Sequence, residues 1–298
     1  TGNYMKILVT GGLGFVGSNL VDKLASMYDP EMIHVIDNLS SESSSKDYMH
    51  EGVKYFIEDI RDINNKWAVR GYNVIFHLAG LARIQPSFED PVEYVDVNCG
   101  GTAKVMELAR VLDAKLIYSS SSSINNGEYK TPYTFSKWAG EEVAKTFSQC
   151  YGLKSAICRF YNVYGNREPM TGNYATVIRK FQRQYINGEP LTIVGDGNQR
   201  RDFTNVNDIV DGLIKVSELQ FSKPAELHHL GSGTNYSINE LANMFTGHPK
   251  KYVSLRRGEG EVTLSDYNKT FSRLGWKAKE NLEEYIHNFI KGESNYGN

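Results

Sequence analysis

Short apolar runs alternate with longer amphipathic stretches along the first two thirds of the chain. The short runs predict strands and the longer stretches predict helices, because the two elements differ in length and hydrophobic period. Strands are predicted at 6–10, 32–36, 53–57, 73–78, 115–120 and 155–160, and helices at 15–27, 90–112 and 134–151. Such alternation is typical of an α/β fold with a doubly wound parallel sheet, which binds ligands at the carboxyl ends of its strands.

After Gly165 the pattern becomes less regular. Pro, Gly and Asn separate shorter elements at REPMTGNY, NGEPLTIVGDGNQ, LGSGTNYS and RRGEGEV. These turn residues predict a smaller second domain that binds the substrate. We expect a first domain at 5–165, a second mainly at 166–298, and parts of 195–230 packing back on the first.

Three glycines follow the first predicted strand at three-residue spacing, namely Gly11, Gly14 and Gly17. A strand, a glycine turn and a helix together bind a pyrophosphate, because the helix N-terminus presents free N–H groups and a partial positive charge. Gly11 and Gly14 permit the turn and a close backbone approach, and Gly17 permits packing of helix on strand. This context indicates a Rossmann-like dinucleotide site.

Asp37 ends the second predicted strand, twenty residues after Gly17. A carboxylate at this position accepts both ribose hydroxyls of an adenosine and repels a 2′-phosphate. The following NLSSESSS contains no arginine for that phosphate, so the sequence favours NAD over NADP. The alternative is that Asp37 is only a turn residue.

Tyr133 and Lys137 are four residues apart at the start of a predicted helix, so they share one helix face. A nearby ammonium favours the phenolate, which makes Tyr133 a candidate general base. A surface lysine beside a half-buried tyrosine is the alternative, and only the neighbouring motifs favour the catalytic interpretation.

Composition narrows the class of protein. The chain has 298 residues and a net charge of −2, which argues against nucleic acid or an anionic membrane as the main partner. No apolar run reaches the length of a membrane span and the start has no signal-peptide pattern, so we expect a cytoplasmic protein. We exclude the first four residues, TGNY, from the predicted fold. The three cysteines are expected to be reduced core thiols, and no metal site is predicted.

Ten motifs in order resemble the extended short-chain dehydrogenase/reductase family, specifically its nucleotide-sugar epimerases. Besides the glycine turn, Asp37 and the Tyr133–Lys137 pair, they are Asp59-Ile60, HLAG at 77–80, VNCGGT, YSSSSS at 118–123, RFYNVYG at 159–165, GDGNQRRDF at 195–203, and RRGEGEV with the later LGW at 274–276. The resemblance covers nearly the whole chain.

The resemblance implies NAD as the cofactor. Backbone N–H groups of Phe15 and Val16 would contact the pyrophosphate, Asp59 would help hold the adenine, and Lys137 would bind the nicotinamide ribose and lower the pKa of Tyr133. The implied cofactor-binding set is Gly11, Gly14, Phe15, Val16, Gly17, Asp37, Asn38, Ser40, Asp59, Ile60, Leu78, Ala79, Gly80, Asn98, Ser119, Tyr133, Lys137 and Tyr161.

For catalysis, the resemblance implies that Ser121 binds the sugar hydroxyl and relays its proton beside Tyr133 and Lys137. Five consecutive serines leave Ser122 and Ser123 as alternatives. The implied substrate-binding set is Ser121, Ser122, Tyr133, Asn162, Thr192, Ile193, Val194, Arg201, Arg256, Glu259 and Thr263. Arg201 and Arg256 would neutralise a diphosphate, although each taken alone also reads as a surface arginine.

The serine block has no acid before Glu128, whereas family members that dehydrate or decarboxylate carry one there. We therefore expect 4-epimerisation of a UDP-hexose, of the UDP-glucose/UDP-galactose type. Family members with a bulky residue at the position of Thr263 tend to exclude 2-acetamido sugars, so the resemblance implies that UDP-N-acetylhexosamines are accepted as well.

Two alternatives remain. The loop between Ser121 and Tyr133 is shorter than in the family, with INN in place of Val-Tyr-Gly, which favours a nucleotide-sugar oxidoreductase or dehydratase as the second interpretation. The third is an NAD-sensing binding protein, which would not need the catalytic set. The resemblance also implies a homodimer through helices 90–112 and 134–151.

Overall fold

A computed structural model describes residues 5–169, 172 and 175–292. The first four residues lie outside this set, as do residues 170, 171, 173 and 174 of the REPMTGNY segment.

The larger part of the protein is built on a parallel sheet of seven strands. The strands are β1 (Ile7–Thr10), β2 (Ile33–Ile36), β3 (Lys54–Phe56), β4 (Val74–His77), β5 (Lys115–Ser121), β6 (Ser155–Phe160) and β10 (Glu226–Leu230). Their order is β10-β6-β5-β4-β1-β2-β3, so the chain reverses direction across the sheet between β1 and β4. A crevice at such a reversal is where doubly wound sheets bind dinucleotides.

Helices cover both faces of this sheet. They are α1 (Phe15–Met27), α2 (Ile84–Glu89), α3 (Pro91–Val95), α4 (Thr102–Leu112), α5 (Pro132–Tyr151) and α7 (Val206–Glu218). One apolar core packs α1 and α7 against one face, and a second packs α4 and α5 against the other. Apolar side chains on both faces explain why these strands read as continuous hydrophobic runs.

The helix predicted at 90–112 is present as one continuous helical run at 91–112. It consists of α3, a wider π-helical segment at Asp96–Gly101, and α4. A Cβ on Gly101 would lie 2.6 Å from Ile60 Cδ1, so the wide turn brings a bare backbone against the turn at Ile60–Asp62 after β3. Such π turns are frequent at functional sites.

The remaining elements form a smaller region beside the sheet. They are β7 (Asn162–Tyr164), α6 (Val177–Ile186), β8 (Leu191–Val194), β9 (Arg200–Asn205), β11 (Asn235–Ser237), α8 (Ile238–Met244), β12 (Lys250–Val253), α9 (Tyr267–Leu274) and α10 (Leu282–Ile290). Between them the chain returns to the large sheet through α7 and β10.

The cysteines are unpaired, but one prediction about them is wrong. Cys158 is buried and Cys99 is half-buried, whereas Cys150 is exposed because it lies on the outer face of the last turn of α5. None of the described helices is long and apolar enough to cross a membrane.

Candidate active site

A cavity of about 560 Å³ lies between the carboxyl ends of the strands and the smaller region. Every predicted site residue lines it except Asn98 and Ile193. The cavity is therefore continuous from the glycine turn, past the serine block, to the loop that carries Glu259 and Thr263.

The glycine turn has the shape of a phosphate cradle. Gly11 has φ +71°, and a Cβ on Gly17 would lie only 2.0 Å from the Gly11 carbonyl oxygen, so neither position accepts a side chain. Helix α1 begins at Phe15 after Gly14 with no side-chain cap, which leaves its first N–H groups directed at the cavity. These residues fit a pyrophosphate.

At the predicted adenosine end, Asp37 is buried and both its carboxylate oxygens accept backbone hydrogen bonds. The N–H of Leu13 lies 3.0 Å from Oδ2 and that of Leu39 lies 2.8 Å from Oδ1. Burial raises the pKa of Asp37, and these two hydrogen bonds oppose the rise. The carboxylate therefore supports the glycine turn as well as lining the cavity.

Asp59 forms the neighbouring wall. Hydrogen bonds from the Arg61 guanidinium lower the pKa of Asp59 to about 2, and the Asn38 amide donates to it over 2.9 Å. A fixed carboxylate here suits an amino group or a hydroxyl and opposes a further phosphate.

Asn98 does not line the cavity, contrary to its place in the predicted cofactor set. Its amide lies behind the loop after β4, where it accepts from the Leu81 N–H (2.8 Å) and donates to the Leu81 carbonyl (2.9 Å). A Cβ on Gly80 would lie 2.9 Å from Asn98 Oδ1, so this amide packs directly under the loop. Asn98 positions the cavity wall from behind.

Ile193 is the second exception. Side chains alternate along β8, so Thr192 and Val194 line the cavity while Ile193 is fully buried in the core of the smaller region.

Tyr133 and Ser121 meet at the centre of the cavity. A hydrogen bond from Ser121 and the positive charge of Arg83 each lower the pKa of Tyr133, but burial outweighs them and the pKa is raised overall. Lys137 Nζ donates to the Ser119 carbonyl over 3.1 Å, and its effect on the pKa of Tyr133 stays a prediction.

Burial lowers the pKa of Lys137 to about 8, with the nearby Glu141 opposing the shift. A Cβ on Gly80 would be 3.2 Å from its Nζ, so the ammonium lies beneath the loop at 78–80. It is placed to donate to a ligand that crosses this loop.

Both Ser120 and Ser121 line the cavity, but the Ser120 hydroxyl donates to the buried Glu141 over 2.6 Å. Ser121 Oγ lies 3.0 Å from Ser123 Oγ, which supports it from the shortened loop. Of the three serines considered, Ser121 is the one whose hydrogen bond acts on Tyr133.

On the substrate side, Arg201 and Glu259 form an ion pair at 3.2 Å. Thr263 Oγ1 accepts from the Asp202 N–H (3.0 Å) and donates to Asn162 Oδ1 (3.2 Å). The Asn162 amide nitrogen is thereby turned away from Thr263 and can donate elsewhere.

Many cavity residues escaped sequence analysis, among them polar residues from different parts of the chain such as Arg83, Asn126, Glu168 and Lys180. Asn126 belongs to the INN segment, which stands where the family has Val-Tyr-Gly. That difference was the only signal in the sequence that could have pointed to Asn126. The other three reach the cavity through tertiary folding, which no local pattern indicates.

The model of the NAD dependent epimerase/dehydratase family matches residues 7–228, and the chain belongs to this family. A Methanocaldococcus jannaschii protein described as a "Putative UDP-glucose 4-epimerase" is 33% identical over 97% of this chain and 98% of its own length. UDP-glucuronic acid decarboxylase 1 of Xenopus tropicalis is 29% identical over 96% of this chain and 72% of its own.

Solved structures of UDP-sugar 4-epimerases are also similar to this chain over nearly its whole length. UDP-glucose 4-epimerase of Thermotoga maritima with UDP-glucose has a TM-score of 0.87 at 29% identity, covering 97% of this chain and 100% of that one. UDP-N-acetylglucosamine 4-epimerase of Methanobrevibacter ruminantium has a TM-score of 0.87 at 29% identity, covering 96% and 97%. UDP-glucuronic acid 4-epimerase of Bacillus cereus, with its sugar nucleotide and NAD, has a TM-score of 0.86 at 25% identity, covering 97% and 100%.

These comparisons confirm the predicted family, the Rossmann-like α/β fold, NAD as the cofactor, and the assignment to NAD-dependent enzymes of the nucleotide-sugar epimerase type. The individual site residues stay predictions.

Proposed function

We propose that the protein is a UDP-hexose 4-epimerase of the UDP-glucose/UDP-galactose type that also accepts UDP-N-acetylhexosamines. The observation that carries the proposal is that Ser121, Tyr133 and Lys137 line one cavity that also contains the glycine cradle. A non-catalytic NAD sensor has no use for this hydroxyl pair.

Tyr133 takes the proton from the sugar O4 through or beside Ser121, and the same proton returns to O4 at the end of the cycle. Bound NAD would supply a hydride acceptor for C4 that can also return the hydride to the opposite face of the ketone. Lys137, beneath the loop at 78–80, would hold the ribose of the cofactor. The net change is inversion at C4, with no oxidant consumed.

The 4-keto sugar must turn over between the two hydride transfers, so the nucleotide needs a firm anchor. Arg201 and Arg256 supply positive charge for the diphosphate, and Lys180 lines the same part of the cavity. Burial and the nearby Arg256 lower the pKa of Lys180, so these two cations share one neighbourhood. Convergent cations of this kind bind phosphate oxygens.

The shortened loop between Ser121 and Tyr133 favours a second candidate, an oxidoreductase that releases the keto sugar as its product. In the fold, Asn125 ties this loop down by accepting from Arg159 (2.7 Å) and donating to the Tyr161 hydroxyl (3.0 Å). A loop that is held by both Arg159 and Tyr161 closes the sugar-side wall of the cavity. A closed wall favours retention of the keto intermediate, and hence epimerisation.

The test is NMR of NAD-loaded protein incubated separately with UDP-glucose, UDP-galactose and UDP-N-acetylglucosamine. We expect interconversion of the C4 epimers without net NADH, and its loss by several powers of ten in Tyr133→Phe with NAD still bound. Tyr129→Phe is the matched control, because Tyr129 is 75% exposed and does not line the cavity. Stoichiometric NADH, or a released ketone, would instead support the oxidoreductase.

We also propose a cytoplasmic homodimer. Helices α3, α4 and α5 present exposed apolar side chains, among them Val92, Val111 and Tyr151. A symmetric contact between two copies would bury them in a four-helix interface. Sedimentation of the unmodified chain and of Val92→Glu tests the dimer.

A further inference from the structure

Glu141 of α5 is a buried carboxylate that the predicted catalytic set does not include. Its side chain is fully buried, and the Arg159 guanidinium donates to both of its oxygens over 2.7 Å. The Ser120 hydroxyl donates to Oε1 over 2.6 Å. Three charge-assisted hydrogen bonds therefore hold this carboxylate at a fixed point between α5 and the large sheet.

The sheet explains why these groups meet. Ser120 of β5 and Arg159 of β6 are direct neighbours across the two parallel strands, and both side chains reach the same carboxylate. The remaining guanidinium nitrogen of Arg159, Nη1, donates to Asn125 Oδ1 over 2.7 Å. Because its three nitrogens bind protein groups and it does not line the cavity, Arg159 is a partner of Glu141 and not a ligand-binding arginine.

Lys137 lies one helical turn before Glu141, on the same face of α5. Its Nζ donates to the Ser119 carbonyl over 3.1 Å, and Ser120 binds Glu141, so the ammonium and the carboxylate contact β5 at consecutive residues. Lys137 lines the cavity, whereas Glu141 does not. Glu141 is thus the charged neighbour of the ammonium on its protein side.

The other ionisable groups that face Lys137 are neutral around pH 7. The Tyr118 ring of β5 lies 5.5 Å from Nζ, and burial raises the pKa of Tyr118 and of Tyr133 on α5. Burial lowers the pKa of His77 on β4 to about 3. Burial also lowers the pKa of Lys137 to about 8, and the negative charge of Glu141 opposes that shift.

A buried ion pair adds little net stability over apolar side chains of similar volume, so the Glu141–Arg159 pair has a use other than stability. We propose that Glu141, held by Arg159 and Ser120, is a positioning residue that keeps the Lys137 ammonium charged and in place for the cofactor. Glu141 itself contacts no ligand. The inference rests on the part of the proposed function in which Lys137 holds the ribose of NAD.

The experiment measures the NAD affinity of the NAD-free chain by calorimetry from pH 6.5 to 9.5. An ammonium donates a stronger hydrogen bond than a neutral amine, so the affinity of the unmodified chain should fall as the pH rises through about 8. In Glu141→Gln the negative charge is removed, and the midpoint of this fall should lie at least about one pH unit lower. Near pH 6.5 the two proteins should bind NAD nearly alike.

Glu142→Gln is the matched control. Glu142 is the next residue, and its carboxylate pairs with Lys145 on the outer face of α5 over 2.7 Å, so this change should leave the midpoint in place. Glu168 lines the same cavity and its pKa is also about 8. The series is therefore repeated in a Glu168→Gln background, where the shift caused by Glu141→Gln should persist.

Arg159→Gln should act in the opposite direction, because it removes a positive charge and leaves the Glu141 carboxylate less neutralised. Its midpoint should move upward, whereas a loss of packing alone would weaken NAD binding at every pH in both variants. Arg159→Gln also tests the proposal if Glu141→Gln does not fold. An affinity of the unmodified chain that does not change with pH would overturn the proposal, and so would a midpoint that Glu141→Gln leaves in place or raises.

The positioning role and the proposed epimerisation fail differently, because NAD binding is measured without any sugar. If the two variants shift the midpoint in opposite directions but no UDP-sugar is epimerised, then 4-epimerisation is wrong and the role of Glu141 stands. If UDP-glucose is epimerised and the midpoint does not respond to Glu141→Gln, only the role of Glu141 is wrong.

Discussion

Arg201 and Glu259 are ion-paired on the substrate side of the cavity, with Nη2 and Oε2 3.2 Å apart, although sequence reasoning assigned them to different parts of the nucleotide. Their side chains are only 11% and 25% exposed. Burial lowers the pKa of Arg201 and Glu259 opposes that shift. The pair therefore brings the predicted diphosphate and ribose contacts together in one place.

Glu259→Ala should weaken both binding and folding, because it leaves the Arg201 charge largely buried without its carboxylate. We expect a loss of about 1–3 kcal/mol in the free energy of unfolding and about tenfold weaker binding of UDP. Denaturant unfolding and calorimetry measure these effects. Glu107→Ala, which breaks an exposed pair with Arg110, should cost less than about 0.5 kcal/mol. Unchanged UDP affinity would remove Glu259 from the nucleotide site.

Ser121→Ala should change the pH dependence of activity as well as its size. The Ser121 hydrogen bond lowers the pKa of Tyr133, so its loss raises that pKa. A base acts when deprotonated, and kcat/KM should therefore start to rise at higher pH in the variant. Ser217→Ala is the control, since Ser217 lies outside the cavity lining and its hydroxyl donates to the Ile214 carbonyl. A profile that keeps its midpoint in Ser121→Ala would argue against the Ser121–Tyr133 contact.

The large sheet and the glycine turn could be predicted because their signals are local. Each buried strand is one apolar run, and the turn requires glycine within a few residues. The π-helical turn at Asp96–Gly101 could not, since the local pattern is that of an ordinary helix and Gly101 packs against Ile60, forty-one residues earlier. Ile193 could have been excluded by alternation along β8, which places Thr192 and Val194 on the other face.

The site residues that sequence analysis missed depend on distant contacts. Arg83 reaches the cavity only because Asn98 and Tyr94 hold the loop before it in a strained conformation. Likewise, the spacing predicts that Lys137 and Tyr133 share a helix face, but the hydrogen bond from the Lys137 ammonium to the Ser119 carbonyl depends on the fold.

Glu168 should make the protein less stable at alkaline pH. Its pKa is about 8 in the folded protein and near 4.5 when unfolded, so the folded state holds the proton more tightly between these values. Stability from this group is full below about pH 4.5 and is lost as the pH rises to about 8, by a few kcal/mol. Glu168→Gln resembles the protonated form and should flatten the change.

Thermal unfolding of the unmodified chain and of Glu168→Gln at pH 5 to 9, without substrate, measures how the stability of each depends on pH. We expect similar Tm values near pH 5 and a higher Tm for Glu168→Gln near pH 9. Parallel curves for the two proteins would mean that Glu168 ionises normally.

Asp37→Ala should reduce the preference for NAD over NADP, because it removes the carboxylate that opposes a 2′-phosphate. The structure adds a second effect. Asp37 accepts from Leu13 and Leu39, so the change also loosens the turn and should weaken NAD itself. Calorimetry with both cofactors separates these effects. Equal binding of NAD and NADP by the unmodified chain would show that Asp37 is only a turn residue.

Thr263 lines the sugar side of the cavity, where a larger side chain would narrow the pocket. Its hydroxyl is already engaged with Asp202 and Asn162, so the expected tolerance of a 2-acetamido group rests on space rather than on a new hydrogen bond. Thr263→Tyr should therefore lower kcat/KM for UDP-N-acetylglucosamine at least about tenfold more than for UDP-glucose. Thr263→Val keeps the volume and removes the hydroxyl, so it should affect both sugars alike. Equal losses in Thr263→Tyr, or no activity of the unmodified chain on the acetamido sugar, would mean that the short loop at 122–126 sets the size of the pocket instead.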